Sequence, residues 1–485
     1  MAAVAAASAF CVLTPGLTGC GASGGSPGGP DSSSGPVSGT RPPAGQAAEG
    51  EDGPDSGDFN GDGHDDYATV VRSEARGGNR GGETLLVVYG SRKGLNHAWT
   101  TRARGTFSYA PLRTDLNGDG FTDLVGGRAR GTGTETFAMF GGPRGLTGPR
   151  ALDVPRGFGP KAAGDFDGDG KTDLFDAGGG AGGGGGGRSA RIVHGPFDPA
   201  GKPSHEHARE PVSLDLSQHG YTHPEGVAAG DFDADGRTDL VLTYGYDAEE
   251  DETAPDDLTP VAYYRGTRRG LSRERGVEPA LREALAGGED GPRTPSTGDV
   301  DGDGTYDLLM PLAVPTSYEE EKAGKGGGVG VLFGARSGLG TGKRTLRITG
   351  GRDSSFGDSP AVGEVNGDHR PDIVVNTPDF RRHDGLVTLL PGGPGGPSAK
   401  GAQEIDVTAE GLPGTPNSHR WNRFTARPPL LDTNGDGHDD VLVFVPLYDA
   451  RKGAFLEIPG TGNGFAPARA RRLTPSDIGL PSGWR

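Results

Sequence analysis

Seven copies of one nine-residue loop constrain this chain more than any other feature. The clearest copy is Asp165-Phe-Asp167-Gly-Asp169-Gly-Lys-Thr-Asp173, with carboxylates at positions 1, 3, 5 and 9. The same positions hold Asp58, Asn60, Asp62 and Asp66 in the first copy and Asp115, Asn117, Asp119 and Asp123 in the second. The fourth and fifth hold Asp231, Asp233, Asp235, Asp239 and Asp299, Asp301, Asp303, Asp307. The sixth and seventh hold Glu364, Asn366, Asp368, Asp372 and Asp432, Asn434, Asp436, Asp440. Position 6 is Gly in every copy but the sixth, which has His369, and Gly takes φ > 0 without steric cost. Oxygen ligands on alternate residues of a tight loop suit a hard cation that wants six to eight oxygens, which is Ca²⁺. A single copy would read as an ordinary surface turn about as readily. Seven copies in the same phase are not explained by turn composition.

Two other calcium architectures are excluded. An EF-hand needs a bidentate Glu at position 12 between helices, and here that position is Thr69, Gly126, Asp176, Leu242, Met310, Val375 or Val443. Calcium-binding β-helices repeat every nine residues, whereas these loops start at 58, 115, 165, 231, 299, 364 and 432.

A constant grammar surrounds each loop. A short strand enters it, as in Pro160–Gly164 or Gly226–Gly230. An apolar strand leaves at position 9, as in Leu240–Thr243, Ile373–Val375 or Val441–Val445. After a variable polar hairpin, a third strand runs into Gly, as in Leu85–Gly90, Phe137–Gly141 or Val329–Gly334. A more polar fourth strand closes the unit, as in Thr345–Ile348. Short β-branched runs bounded by Gly, Pro and Asp are strand signals. Only Glu278–Ala286 shows a helical period, too short to carry weight. At 485 residues the chain exceeds the roughly 250–300 residues at which one core stops growing, so it is either several domains or one repeat architecture, and the seven loops decide for repeats. Seven four-stranded antiparallel units predict an all-β fold, a seven-bladed β-propeller with a calcium loop in each blade.

The Asp-x-Asp/Asn-Gly-Asp-Gly-x-x-Asp loop, the apolar strand and the strand ending Tyr/Phe-Gly together resemble the FG-GAP repeats of integrin α-chain N-terminal regions and the VCBS repeats. The resemblance spans about residues 51–476. It implies calcium held by the side chains at positions 1, 3, 5 and 9 and by the position-7 carbonyls of His64, Phe121, Lys171, Arg237, Thr305, Arg370 and His438. Five to seven Ca²⁺ are expected. The sixth loop departs most, with Glu364 for the first Asp and His369 for Gly; the fourth has Ala234 for Gly. The strand expected before the first loop, Glu51–Gly57, is wholly polar.

The net charge is −18, which argues against a nucleic-acid partner, since that wants a basic face. Each dication adds two charges, so seven would bring the balance to −4. Cys11 and Cys20 are the only cysteines, so no disulfide lies beyond Cys20. Residues 1–20 resemble a bacterial lipoprotein signal: an apolar Ala2–Leu13, then Leu17-Thr18-Gly19-Cys20, with no Lys or Arg ahead of the apolar run. The resemblance implies a lipidated Cys20 and anchorage to the cell membrane, or secretion. Residues 21–50 are Gly, Ser, Pro and small polar residues and read as a disordered tether, with the propeller over 51–485.

No catalytic constellation stands out. His205-Glu206-His207 lacks zinc-protease spacing, Gly357-Asp358-Ser359-Pro360 sits where an inner strand is due, and Ser337–Arg344 misses the phosphate-loop residues at both ends. Gly178–Gly187 reads as a low-complexity hairpin, and the acidic runs Glu249–Glu252, Asp256-Asp257 and Glu319–Glu321 as solvated loops. Topology separates a constant, metal-bearing face from a variable one carrying Tyr246–Pro260 and Thr316–Gly328, and binding residues concentrate on variable loops of a rigid scaffold. The expected function is an exported, calcium-binding, monomeric module that binds an extracellular protein or glycan. The alternatives are a hydrolase or lyase with its site in the central channel or upper face, and a purely structural surface protein.

Overall fold

The computed structural model describes residues 37–45, 57–72, 83–107, 111–178, 190–204, 222–246, 261–285, 295–312, 327–341, 345–350, 355–418 and 421–480. They form seven antiparallel sheets, six of four strands and one, the third, of three strands among the described residues. The fifth blade shows the pattern. Its strands Ser296–Gly298, Asp307–Pro311, Gly328–Leu332 and Leu346–Thr349 pair in sequence order, with Gly298 opposite Asp307, Leu309 opposite Val331 and Val329 opposite Ile348. The central strands are buried throughout because both faces of a blade meet neighbouring blades.

That packing divides the core into seven clusters, one between each pair of adjacent blades. Leu85, Val87, Tyr89, Leu124, Phe137 and Met139 join blades one and two; Val300, Val329, Val331, Ile373 and Val375 join five and six. The seventh cluster, with Tyr67, Leu86 and Val88 against Leu442, Phe444 and Phe455, joins blade seven to blade one. Fully burying one such side chain stabilises by about 1.5–3 kcal/mol, so closure removes the apolar faces an open ring would expose.

The glycine that ends each third strand has a steric reason. A Cβ on Gly90, Gly141, Gly195, Gly266, Gly334, Gly392 or Gly460 would strike the position-8 carbonyl of its own loop. Its amide instead donates to the position-9 carboxylate, at 2.8 Å from Gly90 to Asp66, 2.7 Å from Gly141 to Asp123 and 2.8 Å from Gly334 to Asp307. The glycine therefore welds the third strand to the loop that precedes it by about one hairpin.

Nothing in the sequence indicated how the ring closes. Asp65 donates its amide to the Asp432 carbonyl at 2.9 Å, and Asp432 donates its own to the Asp65 carboxylate at 3.0 Å. Glu457, buried to 2% exposure, accepts from the Leu95 amide at 2.7 Å and the Thr433 hydroxyl at 2.6 Å, while Arg471 donates to the Leu95 carbonyl at 2.9 Å. Ile478 and Leu480 from the chain end pack on the same cluster.

Two expectations change. Residues 37–45 of the expected tether lie on the propeller: Val37–Ser38 pairs with Arg102–Ala103 as the outermost strand of blade one, and Gly45 donates to the Pro143 carbonyl at 2.9 Å. Val37 adds an apolar side chain to the first interblade cluster, which the polar composition masked. Glu278–Leu285 is a helix, with Leu281 buried among Val261, Tyr263 and Met310; packing supplies what its short length could not. Of the inner strand expected before loop one, residues 51–56 lie outside the described residues, and the carbonyl of Gly57 accepts the Asp66 amide at 3.1 Å. His205–His207, Tyr246–Pro260 beyond its first residue and most of Gly178–Gly187 and Thr316–Gly328 also lie outside them, as do residues 1–36 with Cys20. No described helix is long and apolar enough to cross a membrane.

Candidate functional site

Each loop is wound by its own carboxylates. In loop five the Asp299 carboxylate accepts the amides of Gly302 at 2.8 Å, Asp303 at 3.0 Å and Gly304 at 2.7 Å, and Asp303 accepts that of Thr305 at 3.0 Å. Loops one, two, three and seven repeat this, with Gly61 and Gly63 on Asp58, Gly118 and Gly120 on Asp115, Gly168 and Gly170 on Asp165, and Gly435 and Gly437 on Asp432. The winding needs left-handed backbone at positions 4 and 6, with φ of 73° at Gly302 and 84° at Gly304. The sequence reading found the requirement at position 6 only. Ala234 (φ 52°) and His369 (φ 60°) take the same conformation at a steric cost glycine avoids.

The winding converges oxygens. Carboxylate oxygens of Asp165, Asp167 and Asp169 lie within 4.8 Å of one another, as do those of Asp231, Asp233, Asp235 and of Asp299, Asp301, Asp303. A carboxylate has about four acceptor sites, so the amide bonds leave lone pairs for a cation. In loop one, Asn60 is fully buried and its Oδ1 accepts no hydrogen bond. A buried, unsatisfied amide oxygen beside carboxylates is the donor set a hard cation takes. The residues present therefore fit Ca²⁺.

The position-9 carboxylates are the most buried of the set: Asp66, Asp123, Asp173, Asp239, Asp307 and Asp372 are fully buried and Asp440 is 1% exposed. Besides the strand-end glycine they accept the position-2 amide, at 2.9 Å from Phe59 to Asp66 and from Val300 to Asp307. Burial still dominates. It pushes Asp123 up to about 8 and Asp239, Asp307 and Asp440 up to about 7, and raises Asp66 well above the usual carboxylate range, with neighbouring loop carboxylates adding to the shift. A dication in the loop offsets both causes.

Two loops depart. In loop six, Glu364 takes over the amides of Gly367 at 2.7 Å and Asp368 at 3.2 Å, and Asn366 turns its amide nitrogen to Asp372 at 3.1 Å. In loop four a guanidinium enters: Arg265, just before the strand-ending Gly266, ion-pairs with the buried Asp233 and lies 3.7 Å from Asp235, while Arg237 contacts Asp235 at 2.6 Å. The sequence reading missed Arg265 because it lies outside the loop motif.

A cavity of about 600 Å³ opens at the centre of the loop face, lined by Asp58, Asp65, Asp115, Asp165, Asp231 and Asp432 with small residues of the inner strands. No His or Arg lines it among the described residues. The opposite face carries a different feature. Eight of the eleven described non-glycine residues with left-handed backbone gather at the junction of blades six and seven: Arg381, Arg382, His383, Trp421, Arg423, Asp449, Ala450 and Arg451. Trp421 is 48% exposed and its ring lies 4.2 Å from that of His383. His383 is held by Asp379 at 2.5 Å and Arg381 by Asp406 at 2.8 Å. Backbone strain of this kind collects at ligand clamps. No motif pointed to this cluster; the lone Trp421 in a Pro- and polar-rich connection was its one sequence signal.

Residues 356–390, the inner three strands of blade six, match the family model of the FG-GAP repeat. This is the blade whose loop departs furthest from the consensus. No curated protein matches the chain. Among solved structures, the rhamnogalacturonan lyase YesW aligns over 88% of this chain and 68% of its own at 12% identity and a TM-score of 0.28. The Bacillus licheniformis rhamnogalacturonan lyase PL11 aligns over 90% and 69% at 12% identity and 0.30. The Photorhabdus luminescens Tc holotoxin pore aligns over 81% of this chain and 18% of its own at 15% identity and 0.34.

Proposed function

We propose that this chain, a seven-bladed propeller carrying an FG-GAP repeat, is an exported calcium-binding module that uses the face opposite its metal loops to bind an extracellular glycan or protein. Five to seven Ca²⁺ in the loops stabilise the scaffold, and a lipid on Cys20 tethers it to the cell membrane. The observation that carries the binding role is the Trp421–His383 platform. An exposed indole offers a flat apolar surface with a polar edge, of the size that stacks on a sugar ring, and the exposed Arg382 and Arg423 beside it supply donors for hydroxyl or carboxylate groups. The strained turns that present it are fixed by Asp384, whose carboxylate accepts from the Asn422 side chain at 2.9 Å and whose carbonyl accepts from the Phe424 amide at 2.8 Å.

A glycan array run beside a surface-protein pull-down tests the proposal. Trp421→Ala should lower retention of the captured ligand at least about tenfold while leaving the fold intact, since exposed substitutions usually stay within about 0.5 kcal/mol. Equal capture by wild type and variant would move the binding site elsewhere.

A further inference from the structure

Blade three differs from the other blades at one position. The residue before the strand-ending glycine is Tyr89, Phe140 or Phe333 in blades one, two and five, buried in the cores between blades. It is Pro391 in blade six and Pro459 in blade seven. In blade four it is Arg265, which reaches into its own loop. That side chain shows that a polar residue here enters the space where the loop carboxylates converge. In blade three the residue is His194.

The Nδ1 of His194 lies 3.1 Å from the Asp173 carboxylate and 3.4 Å from that of Asp167. The nitrogen is buried and faces both carboxylates at ion-pair distance, though off the line of a regular hydrogen bond to either. Asp173 is fully buried, and the three ligand atoms lie within 4.8 Å of one another. Zinc binds imidazole nitrogen at about 2.0–2.1 Å and carboxylate oxygen at about 2.0–2.2 Å, so donors around a tetrahedral zinc stand about 3.3–3.5 Å apart. The separations of 3.1 and 3.4 Å come close to that spacing. Imidazole favours zinc, copper and nickel, whereas an all-oxygen set favours calcium and magnesium. Asp165 and Asp169, clustered with Asp167, stand on the loop side as further oxygen donors.

We infer that blade three carries a mixed nitrogen–oxygen site, built by Asp167, Asp173 and His194, that takes a divalent transition metal of the zinc class in place of calcium. The inference rests on the reading of the loops as metal sites and makes loop three the exception among them. Asp167 and Asp173 are shared, so zinc and calcium exclude each other in this loop.

The full chain is stripped of metal, incubated in millimolar calcium with or without one equivalent of zinc, freed of unbound metal and analysed for both elements. The wild type should retain one zinc per chain and lose one calcium. His194→Phe, which installs the residue of blades two and five, should keep its calcium and lose the zinc. His194→Gln serves as a second variant should the phenylalanine disturb the blade. Loss of a direct ligand should cost at least the roughly 10–100-fold in affinity that outer partners of metal ligands cost. Cobalt in place of zinc gives an independent readout, a visible absorption band that the variants lack. Zinc absent from the wild type, or retained equally by both variants, overturns the inference. Zinc retained in a protein that binds no calcium would instead overturn the calcium reading and leave this site standing.

Discussion

At the scale of single residues, the loop carboxylates set how stability responds to acid and to metal. Burial holds Asp123 at about 8 and Asp239, Asp307 and Asp440 at about 7, against an ordinary 3.8. A raised folded value means the folded state binds protons more tightly than the unfolded one. Stability of the metal-free protein therefore falls as pH rises from about 4 to about 8. With calcium in the loops the trend reverses, because protons compete with the metal for the same oxygens. The metal-free protein should melt higher near pH 5 than near pH 8, and the calcium-loaded protein lower; the same order in both states would contradict this. A second comparison separates metal binding from hydrogen bonding. Asp303 and Asp368 both accept the position-7 amide, from Thr305 and Arg370 at 3.0 Å each, so alanine removes the same hydrogen bond from each. Asp303 belongs to a converged triad with Gly at positions 4 and 6, whereas Asp368 neighbours Glu364 and the strained His369. In saturating calcium Asp303→Ala should lower the melting temperature more than Asp368→Ala. The opposite ranking would show that the loops' value lies in their backbone bonds.

At the scale of the loop and its blade, loop four brings its own cation. On the proposed calcium reading Arg265, paired with Asp233, takes the place of the metal, so the wild type should bind one calcium fewer there. Arg265→Phe should add one calcium per chain by metal analysis, while melting lower than wild type in chelator because Asp233 is then buried unpaired. An unchanged metal count would return Arg265 to the role of a surface ion pair. This is also the scale at which the sequence was most and least informative. Strands such as Asp440–Val445 and Gly328–Leu332 were legible because an apolar run framed by Asp and Gly has few other solutions. The loop positions were legible because every second residue repeated. His194 and Arg265 were not, because they act on loops about 30 residues upstream, across a hairpin, and neither belongs to the repeat. The cluster around Trp421 was hard to read for a related reason: its partner His383 lies on a distant hairpin, and left-handed turns at Arg381–His383 carry no glycine to announce them. Residues 37–45 were misread because two strand residues and a buried Pro42 hardly alter a polar composition.

At the scale of the whole molecule, closure rests on a buried apolar seam and a few polar contacts, with Glu457 binding the last blade to Leu95 of the first. The loops add a circumferential set of ties. Position-8 amides donate to the position-1 carbonyl of the preceding blade, from Asp65 to Asp432 at 2.9 Å, Thr238 to Asp165 at 2.7 Å, Tyr306 to Asp231 at 3.1 Å and Asp439 to Glu364 at 2.7 Å. Each tie depends on a wound loop, so calcium bound as proposed would couple to closure of the ring. Extracellular calcium modules bind with Kd of about 10⁻⁴–10⁻³ M, so one site near 1 mM calcium adds roughly 0.4–1.4 kcal/mol by mass action. Five sites together reach several kcal/mol, a large part of a typical folding stability of about 5–15 kcal/mol. The central claim, that calcium holds the propeller together, is tested most directly by the thermal melt of the purified chain in excess calcium, in chelator, and in chelator followed by magnesium or calcium. The account predicts a fall of many degrees in chelator, full recovery with calcium, and little recovery with magnesium, which demands a tighter octahedron. A melt unchanged by chelator would show that the seven loops are turns and not metal sites.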